Sequence, residues 1–248
     1  MSDAKTCPEL LEIEGLELRY GRQPVLQDLN LQVSRGRWIA LLGPNASGKT
    51  TLLHCVAGQL APARGSVRIE GAPLYPVRPT LRRLPGHAAS PEDLPSFLTL
   101  RQCVEVFAAA HAIPALPPDV ELLHDQLGLP AHDQQLVRSA SLGTRQKLAI
   151  VLALMRQPSL LLLDEVFNGL DFGSALVLKE HLRARVAGGL SILLATHSLD
   201  VVLGCCDGLV LLDSGRLLRS WNAAELAVFR SAQELERELA SVSRSSSA

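Results

Sequence analysis

The chain has 248 residues and a formal net charge of -1, and 47% of its residues are hydrophobic. This length allows one large α/β domain or two smaller ones, and it is enough to bury a substantial core. The near-neutral charge excludes a bulk attraction to nucleic acid or anionic lipid, so we expect no nucleic-acid partner. The five cysteines are scattered without a CxxC pair, which fits neither a disulfide framework nor a zinc site and indicates a reducing cytosol.

No targeting or membrane-spanning segment is predicted. The N-terminal MSDAKTCPEL is polar and lacks the apolar core of a signal peptide. The densest apolar stretch, LAIVLALM, ends at Arg156, well short of the ~20 residues that a spanning helix needs. We therefore expect the isolated chain to be soluble.

The first part of the chain predicts antiparallel strands. LEIEGLELRY and VLQDLNLQV alternate between apolar and polar residues on either side of a turn at Gly21, and such alternation is typical of half-buried strands. WIALLG then predicts a short buried strand, and GSVRIEG predicts another. From about Leu98 to His132 the pattern becomes helical, with two helices separated by prolines.

The second part alternates helices with strands. A long apolar helix opens at Gly143 and ends at Pro158, and the buried strand LLLLD follows. A helix at SALVLKEHLRARVA, the strand SILLATH and the strand pair GLVLLDSG/RLLRSW come next. A final amphipathic helix, AAELAVFRSAQELERELA, precedes a polar tail that we expect to be frayed. The alternation predicts an α/β fold with a mainly parallel sheet.

A phosphate-binding loop is predicted directly after the strand WIALL. The sequence matches G-x-x-x-x-G-K-[ST] between a strand and a helix, the context that this motif requires. Glycines let successive N–H groups point at an anion, and the helix N-terminus adds partial positive charge. We expect a nucleotide to bind the whole segment, Gly43, Pro44, Asn45, Ala46, Ser47, Gly48, Lys49, Thr50 and Thr51. Lys49 can reach the β- and γ-phosphates, and the hydroxyl of Thr50 can ligate Mg²⁺.

Two adjacent acids end the buried strand LLLLD. A nucleotide with Mg²⁺ needs a second anionic ligand that faces the loop, and Asp164 at a strand end can supply it. Glu165 would then lie next to the γ-phosphate, where it can orient or deprotonate an attacking water. We expect both acids to belong to the strand, so that their side chains point to opposite sides and have different tasks.

The chain resembles the ATP-binding cassette (ABC) family from about Leu11 to Trp221, because five motifs occur in the family's order. These are LRYGRQPVLQDLN, GPNASGKTT, SASLGTRQK, LLLLDE with the following GLD, and LLATHS. The resemblance implies that Tyr20 stacks on adenine, and that His197, neutral or charged, donates to the γ-phosphate. It further implies that Ser141 and Gly143 bind the γ-phosphate held by a second subunit, and that Asp171 belongs to the nucleotide site.

The resemblance also implies an architecture and partners. We expect an ATPase core with a mainly parallel sheet, an N-terminal antiparallel β subdomain and an inserted helical subdomain at about 88–145. One domain would span residues 8–222, and residues 223–248 would form a C-terminal helix and tail. Two such cassettes, as a homo- or heterodimer, would close head-to-tail over two molecules of ATP with Mg²⁺.

Two departures from the family pattern change the expected site. The signature positions 140–144 lack one of the usual paired glycines and the usual glutamine, although Ser141 and Gly143 remain. In RRLPGHAASPEDLPSFLTL the family places a glutamine that touches Mg²⁺, and this chain has Gly86 or His87 instead. A haem-exporter subunit of the family is similar in showing Gly-His there, so His87 is our candidate for this position.

The resemblance implies an ATP-hydrolysing subunit that powers export through a separate integral membrane subunit. Such a subunit would be cytoplasmic and peripheral on the cytoplasmic face of the membrane. A cytosolic assembly ATPase with a soluble partner would have the same core and remains the alternative. Relatives in DNA maintenance or translation fit poorly, since this chain has neither a coiled-coil insertion nor a second cassette. A GTPase is disfavoured because no N-K-x-D motif occurs.

Overall fold

Ten strands form two sheets in the part of the chain that the computed structural model describes, residues 9–76 and 85–245. Cys7, the predicted domain start at residue 8 and the last three residues lie outside this range. The strands are β1 (Glu9–Tyr20), β2 (Gln23–Ser34), β3 (Trp38–Leu42), β4 (Arg64–Ile69), β5 (Ala72–Pro73), β6 (Gly86–His87), β7 (Leu160–Asp164), β8 (Ser191–Ala195), β9 (Gly208–Asp213) and β10 (Arg216–Asn222).

Eight α-helices pack on these sheets within the same ranges. They are α1 (Lys49–Val56), α2 (Leu100–Ala110), α3 (Pro118–Gln126), α4 (Leu142–Met155), α5 (Phe172–Ala187), α6 (Leu199–Cys205), α7 (Ala223–Leu226) and α8 (Ala232–Ser245). Among the described residues, none of the helices combines the length and the apolar character needed to cross a bilayer.

The larger sheet has the strand order β10-β9-β3-β8-β7-β6. All neighbouring pairs in it are parallel except β10, which runs antiparallel to β9. The carboxyl ends of the parallel strands therefore meet at one edge of the sheet, and the segments after β3, β7 and β8 come together there. This arrangement confirms the predicted α/β fold with a mainly parallel sheet.

The smaller sheet has the order β2-β1-β4-β5, and all its pairs are antiparallel. Buried residues recur along β1 in the predicted alternation, and Gly21 lies in the turn to β2 with a φ of 61°. The apolar face of this sheet packs with α1 and one face of the larger sheet in a shared core. The predicted N-terminal antiparallel subdomain is confirmed.

Strand β7 shows why a run of four leucines is needed before Asp164. Leu160 and Leu162 belong to the core shared with α1 and the smaller sheet, whereas Leu161 and Leu163 belong to the core formed with α4 and α5. All four side chains are fully buried. A strand covered on both faces must be apolar on both faces, so it reads as a continuous apolar run.

The helical segment between β6 and β7 contains α2, α3 and α4. Helix α4 crosses the predicted subdomain limit near residue 145 and continues to Met155, and α3 contacts both α4 and α5. Ten of the fourteen residues of α4 are buried, because it lies between the other helices and the larger sheet. The division of the chain into subdomains remains a proposal.

The C-terminal region differs from the predicted single helix over 223–240. Asn222 caps α7, a helix of only four residues, through hydrogen bonds from the N–H groups of Ala224 and Glu225. A second cap then starts α8: the Ser231 hydroxyl accepts from the N–H of Glu234, at 3.3 Å. Two capping signals so close together divide the segment into two helices. Helix α8 extends to Ser245, so the frayed tail expected from residue 241 was also wrong over residues 241–245.

Candidate nucleotide site

The predicted phosphate loop occupies the sharp turn between β3 and α1. Gly43 passes so close to β9 that an added Cβ would lie 1.9 Å from the Leu212 carbonyl oxygen. Gly48 precedes α1 with a φ of 107°, a conformation that favours glycine. The close approach at Gly43 and the positive φ at Gly48 explain why the loop needs glycine at both of its ends. The loop residues Asn45, Ala46, Ser47, Gly48, Lys49, Thr50 and Thr51 line a cavity of about 370 Å³.

Lys49 points into this turn. Its ammonium group donates hydrogen bonds to the carbonyl oxygens of Gly43, at 2.8 Å, and Pro44, at 2.9 Å. Burial lowers the pKa of Lys49, and the carboxylates of Glu165 and Asp164 oppose this shift. The lysine is thus held inside the loop, with its cation next to the two acids that follow β7.

The structure brings Thr50 and Asp164 together, as the sequence predicts. The Thr50 hydroxyl donates a hydrogen bond of 2.6 Å to Asp164 Oδ2. Mg²⁺ prefers hard oxygen donors and usually takes only one or two carboxylates besides substrate phosphates and water. Among the described residues, no group of three or more His, Cys, Asp or Glu side chains could hold a metal by itself. The donor pair therefore fits a magnesium ion that shares its coordination with phosphate oxygens.

Glu165 lies beyond the end of β7, which corrects the expectation that both acids belong to the strand. Its φ is 48°, so its side-chain direction is set by a turn and not by strand alternation. The Glu165 carboxylate contacts His197 Nδ1 at 2.9 Å and accepts a hydrogen bond from Asn168 Nδ2 at 3.2 Å. Its backbone N–H donates to the Ala195 carbonyl at the end of β8.

Glu165 and His197 therefore form a pair at the common edge of the larger sheet. Asn168 is a site residue that the sequence analysis missed. Its signal was its position inside VFNGLD, within the loop that leaves β7.

Tyr20 lies at the other end of the cavity. It closes β1, its side chain is exposed (54%), and it lines the same cavity as the phosphate loop together with Gln23 and Val25. An exposed ring at the rim of a phosphate cavity is free to stack on a flat ligand. Its contact with adenine remains a proposal.

Ser141, Gly143 and Asp171 do not line the cavity of about 370 Å³. Ser141 caps α4: its hydroxyl accepts from the N–H of Thr144 and lies 2.8 Å from Thr144 Oγ1. An added Cβ at Gly143 would lie 2.6 Å from the Gly169 carbonyl oxygen, so the loop after β7 packs closely on the start of α4.

Asp171 caps α5. Its carboxylate accepts from the N–H and the hydroxyl of Ser174, at 2.8 and 2.6 Å, and pairs with Lys147. The Ser174 hydrogen bonds and Lys147 hold the pKa of this carboxyl well below its usual range. Within its own chain, Asp171 therefore acts as a helix cap and as the partner of Lys147. Its predicted contact with a nucleotide stays a proposal, and it would have to involve the nucleotide of a second subunit.

His87 lies on β6, beside β7 in the larger sheet. It lines a second cavity of about 520 Å³, and Thr50, Asp164 and Glu165 line that cavity as well. Gly86 is fixed by close packing, since a Cβ there would lie 2.5 Å from the Ala153 carbonyl oxygen. Of the two residues, only His87 offers a side chain to the site. Residues 82–84 of this predicted loop lie outside the described residues.

Comparison with known proteins places this geometry in one family. The family model described as ABC transporter matches residues 26–168, more than half of the chain. The Nod factor export ATP-binding protein I of Ralstonia nicotianae is 31% identical over 219 residues, covering 88% of this chain and 68% of that protein. The daunorubicin resistance ATP-binding protein DrrA3 of Streptomyces coeruleorubidus is 32% identical over 222 residues, covering 87% and 69%.

A solved structure agrees with the sequence comparisons. The structure of an ATP-binding subunit of an ABC transporter superposes with a TM-score of 0.81 at 30% identity, covering 93% of this chain and 99% of that one. Its fold matches the one described above. The chain belongs to the ABC transporter family, and it is an ATP-binding and ATP-hydrolysing subunit of that family.

Proposed function

We propose that this chain hydrolyses Mg-ATP at the edge of the larger sheet, as one of two cassettes that together drive export through a separate membrane subunit. The observation that carries the proposal is the junction of the phosphate loop with the end of β7. There Thr50 and Asp164 are joined by a hydrogen bond of 2.6 Å, and Glu165 and His197 form a pair next to them.

The phosphate loop would bind the β- and γ-phosphates. The first N–H groups of α1 lack partners within the helix and point toward the anion, and Lys49 adds a full positive charge. Glycine at both ends of the loop brings the backbone close to the phosphates. Tyr20 would hold the adenine ring at the far rim of the same cavity.

Thr50 and Asp164 would hold Mg²⁺. When bound, the ion would supply positive charge that neutralises the charge developing on the phosphate during hydrolysis. Asp164 is suited to this task because β7 is buried on both faces and fixes the position of its last residue.

Glu165 would act on the attacking water and His197 on the γ-phosphate. Because Glu165 leaves the strand in a left-handed turn, its carboxylate reaches His197 and faces the nucleotide cavity. A carboxylate held by Asn168 and His197 can accept the proton of a water molecule that attacks the γ-phosphate. The imidazole of His197 can donate a hydrogen bond to a γ-phosphate oxygen.

A second cassette would complete the site. Ser141 and Gly143 begin α4, and neither lines the cavity that contains Lys49 in its own chain. The N-terminus of a helix favours an anion, so this loop is suited to the γ-phosphate of a partner subunit. The dimer, homomeric or heteromeric, is therefore part of the proposal.

The export role rests on the relatives. The Nod factor export and daunorubicin resistance proteins are named as ATP-binding components, and their similarity covers most of this chain. We propose a cytoplasmic subunit, peripheral on the membrane face where an integral membrane partner docks. The resemblance to a haem-exporter subunit stays a prediction. A soluble partner would instead support an assembly ATPase.

The test is Glu165→Gln. This change keeps the size of the side chain but removes its basicity, so hydrolysis should fall by about 10²–10⁴-fold. ATP binding should persist, and the closed pair of cassettes should accumulate because hydrolysis no longer separates it. The measurements are steady-state ATPase activity, calorimetric ATP affinity and size-exclusion chromatography with Mg-ATP.

Glu180→Gln is the matched control. It makes the same chemical change at an exposed position of α5 and should leave hydrolysis and dimerisation unchanged. If Glu165→Gln hydrolyses ATP at the parent rate, Glu165 is not the general base. If the variant binds ATP and remains monomeric, the composite site is contradicted for the isolated subunit.

A further inference from the structure

Three side chains meet beside the cavity of about 520 Å³ that Asp164 and His87 line. They are His54, Gln59 and His87, which we call the His87 cluster. The Gln59 side-chain amide Nε2 lies 3.2 Å from His87 Nδ1. The rings of His54 and His87 meet edge to face, with centroids 5.6 Å apart at an interplanar angle of 83°. Neither His54 nor Gln59 was singled out by the sequence analysis.

Helix α1 connects this cluster to the phosphate loop. Thr50 lies in its first turn, and His54 follows four residues later on the same face. Gln59 lies in the turn after the helix, where its N–H donates to the His54 carbonyl at 2.9 Å. One short segment therefore presents a candidate magnesium ligand and both residues that contact the His87 ring.

The contact with Gln59 favours one position for the proton on the His87 ring. The amide nitrogen of a glutamine can donate hydrogen bonds but cannot accept them. With the Gln59 amide nitrogen facing the ring, His87 Nδ1 is the acceptor, and a neutral ring then carries its proton on Nε2. Burial lowers the pKa of His87, as does the nearby His54, while Asp164 and Asp93 oppose the shift.

His54 restricts the orientation of the same ring. The two imidazole rings meet edge to face, and the Gln59 amide lies at Nδ1 of the His87 ring. His87 lines the cavity of about 520 Å³ together with Thr50, Asp164 and Glu165, so a proton donor on its second ring nitrogen would serve that cavity. A protonated Nε2 can donate a hydrogen bond but has no lone pair for a metal ion.

We propose that Gln59 is a positioning residue that fixes His87 as its Nε2–H tautomer, so that His87 donates to an oxygen of the bound nucleotide or its water and does not ligate Mg²⁺. This inference rests on the proposed ATPase site. In this role His87 would donate a hydrogen bond as the side-chain amide of a glutamine can. This function would depend on Gln59, a residue outside the family motifs.

The first test reads the tautomer directly. Nitrogen-15 spectra of the histidine rings in the full chain, assigned by comparison with His87→Gln, should show a protonated Nε2 and an unprotonated Nδ1 for His87. In Gln59→Glu the carboxylate can only accept, so the proton should move to Nδ1. A parent spectrum with a protonated Nδ1, or an unchanged pattern in Gln59→Glu, would overturn the proposal.

The second test couples Gln59 to His87 in catalysis. Gln59→Glu should lower kcat/KM for ATP by about 10- to 100-fold, the loss expected for one hydrogen bond to a charged group. In the His87→Gln background the same change should cost less than about 2-fold, because no ring tautomer is left to control. Gln126→Glu, the same change at an exposed residue of α3, should cost less than about 2-fold in either background.

The two tests separate this inference from the proposed function. An inactive parent protein would contradict the ATPase site, and the ring spectrum would still decide the tautomer. An active parent in which Gln59→Glu costs the same with and without His87 would leave the ATPase standing and refute the positioning role. Equal melting temperatures of Gln59→Glu and parent establish that the turn after α1 stays folded.

Discussion

Glu165 has a φ of 48°, although it follows a regular strand and is not a glycine. A left-handed residue at this point costs conformational energy, and such residues are found where a site requires them. The turn lets the Glu165 carboxylate meet His197, while Asp164 stays on the strand and meets Thr50. The different partners of the two acids thus follow from a change in backbone conformation and not from strand alternation.

Lys49→Ala tests the phosphate loop at the residue scale. The change removes the cation that the loop holds against Gly43 and Pro44, so phosphate charge would remain uncompensated. We expect ATP affinity, measured by calorimetry, to fall by at least about 10-fold, and hydrolysis to be lost. Lys179→Ala removes a lysine of α5 and should bind ATP like the parent. Near-normal affinity in Lys49→Ala would reject the phosphate-loop assignment.

At the scale of elements, the loop after β7 packs closely on the start of α4. Gly143 and Gly169 approach each other so closely that a single Cβ does not fit. This contact ties the segment with Glu165 and Asn168 to the segment with Ser141. A displacement of α4 would therefore also move the loop that follows β7.

Gly143→Ala should disturb this link. Overpacking of this kind costs roughly 1–3 kcal/mol of unfolding free energy, which would lower the melting temperature by a few degrees. Gly204→Ala is the matched control, because an added Cβ in α6 has nothing within 4 Å. That change should raise stability by up to about 1 kcal/mol, since alanine favours a helix more than glycine. Equal melting shifts in the two variants would show that the contact at Gly143 is not tight.

For the whole molecule, the docking surface for a partner is a prediction that exposed apolar residues can be used to test. Phe97 is exposed (74%) directly before α2, and Val106 on α2 is exposed (55%). Both belong to the region around the predicted helical segment 98–132, which we expect to dock on the membrane subunit. Val228, exposed (71%) in the C-terminal region, is the residue chosen for comparison.

Val106→Arg should weaken docking without unfolding the chain, because the side chain is already largely in solvent. We expect the variant to fractionate with membranes several-fold less than the parent when the membrane subunit is co-expressed, with unchanged ATP affinity. Val228→Arg should fractionate like the parent. The reverse result, loss only in Val228→Arg, would move the docking surface to the C-terminal region.

The sequence by itself determined the order of the main strands and helices, the phosphate loop and the acids at the end of β7. It could do so because each depends on short-range rules: strand alternation, glycine where the backbone curls, and a continuous apolar run where both faces are covered. It erred at the C-terminus, where the Asn222 cap and the Ser231–Glu234 cap compete locally with an amphipathic pattern that favours one helix.

Only the tertiary structure decided how distant segments meet. Glu165 with His197, His87 with Gln59, and Gly143 with Gly169 are pairs from different elements, and no spacing along the chain specifies their contacts. Parallel strands bring their carboxyl ends to one edge only after the sheet has formed, because each crossover helix separates them by many residues. The chemistry of the site was therefore readable from residue types, whereas the partner of each side chain was set by packing.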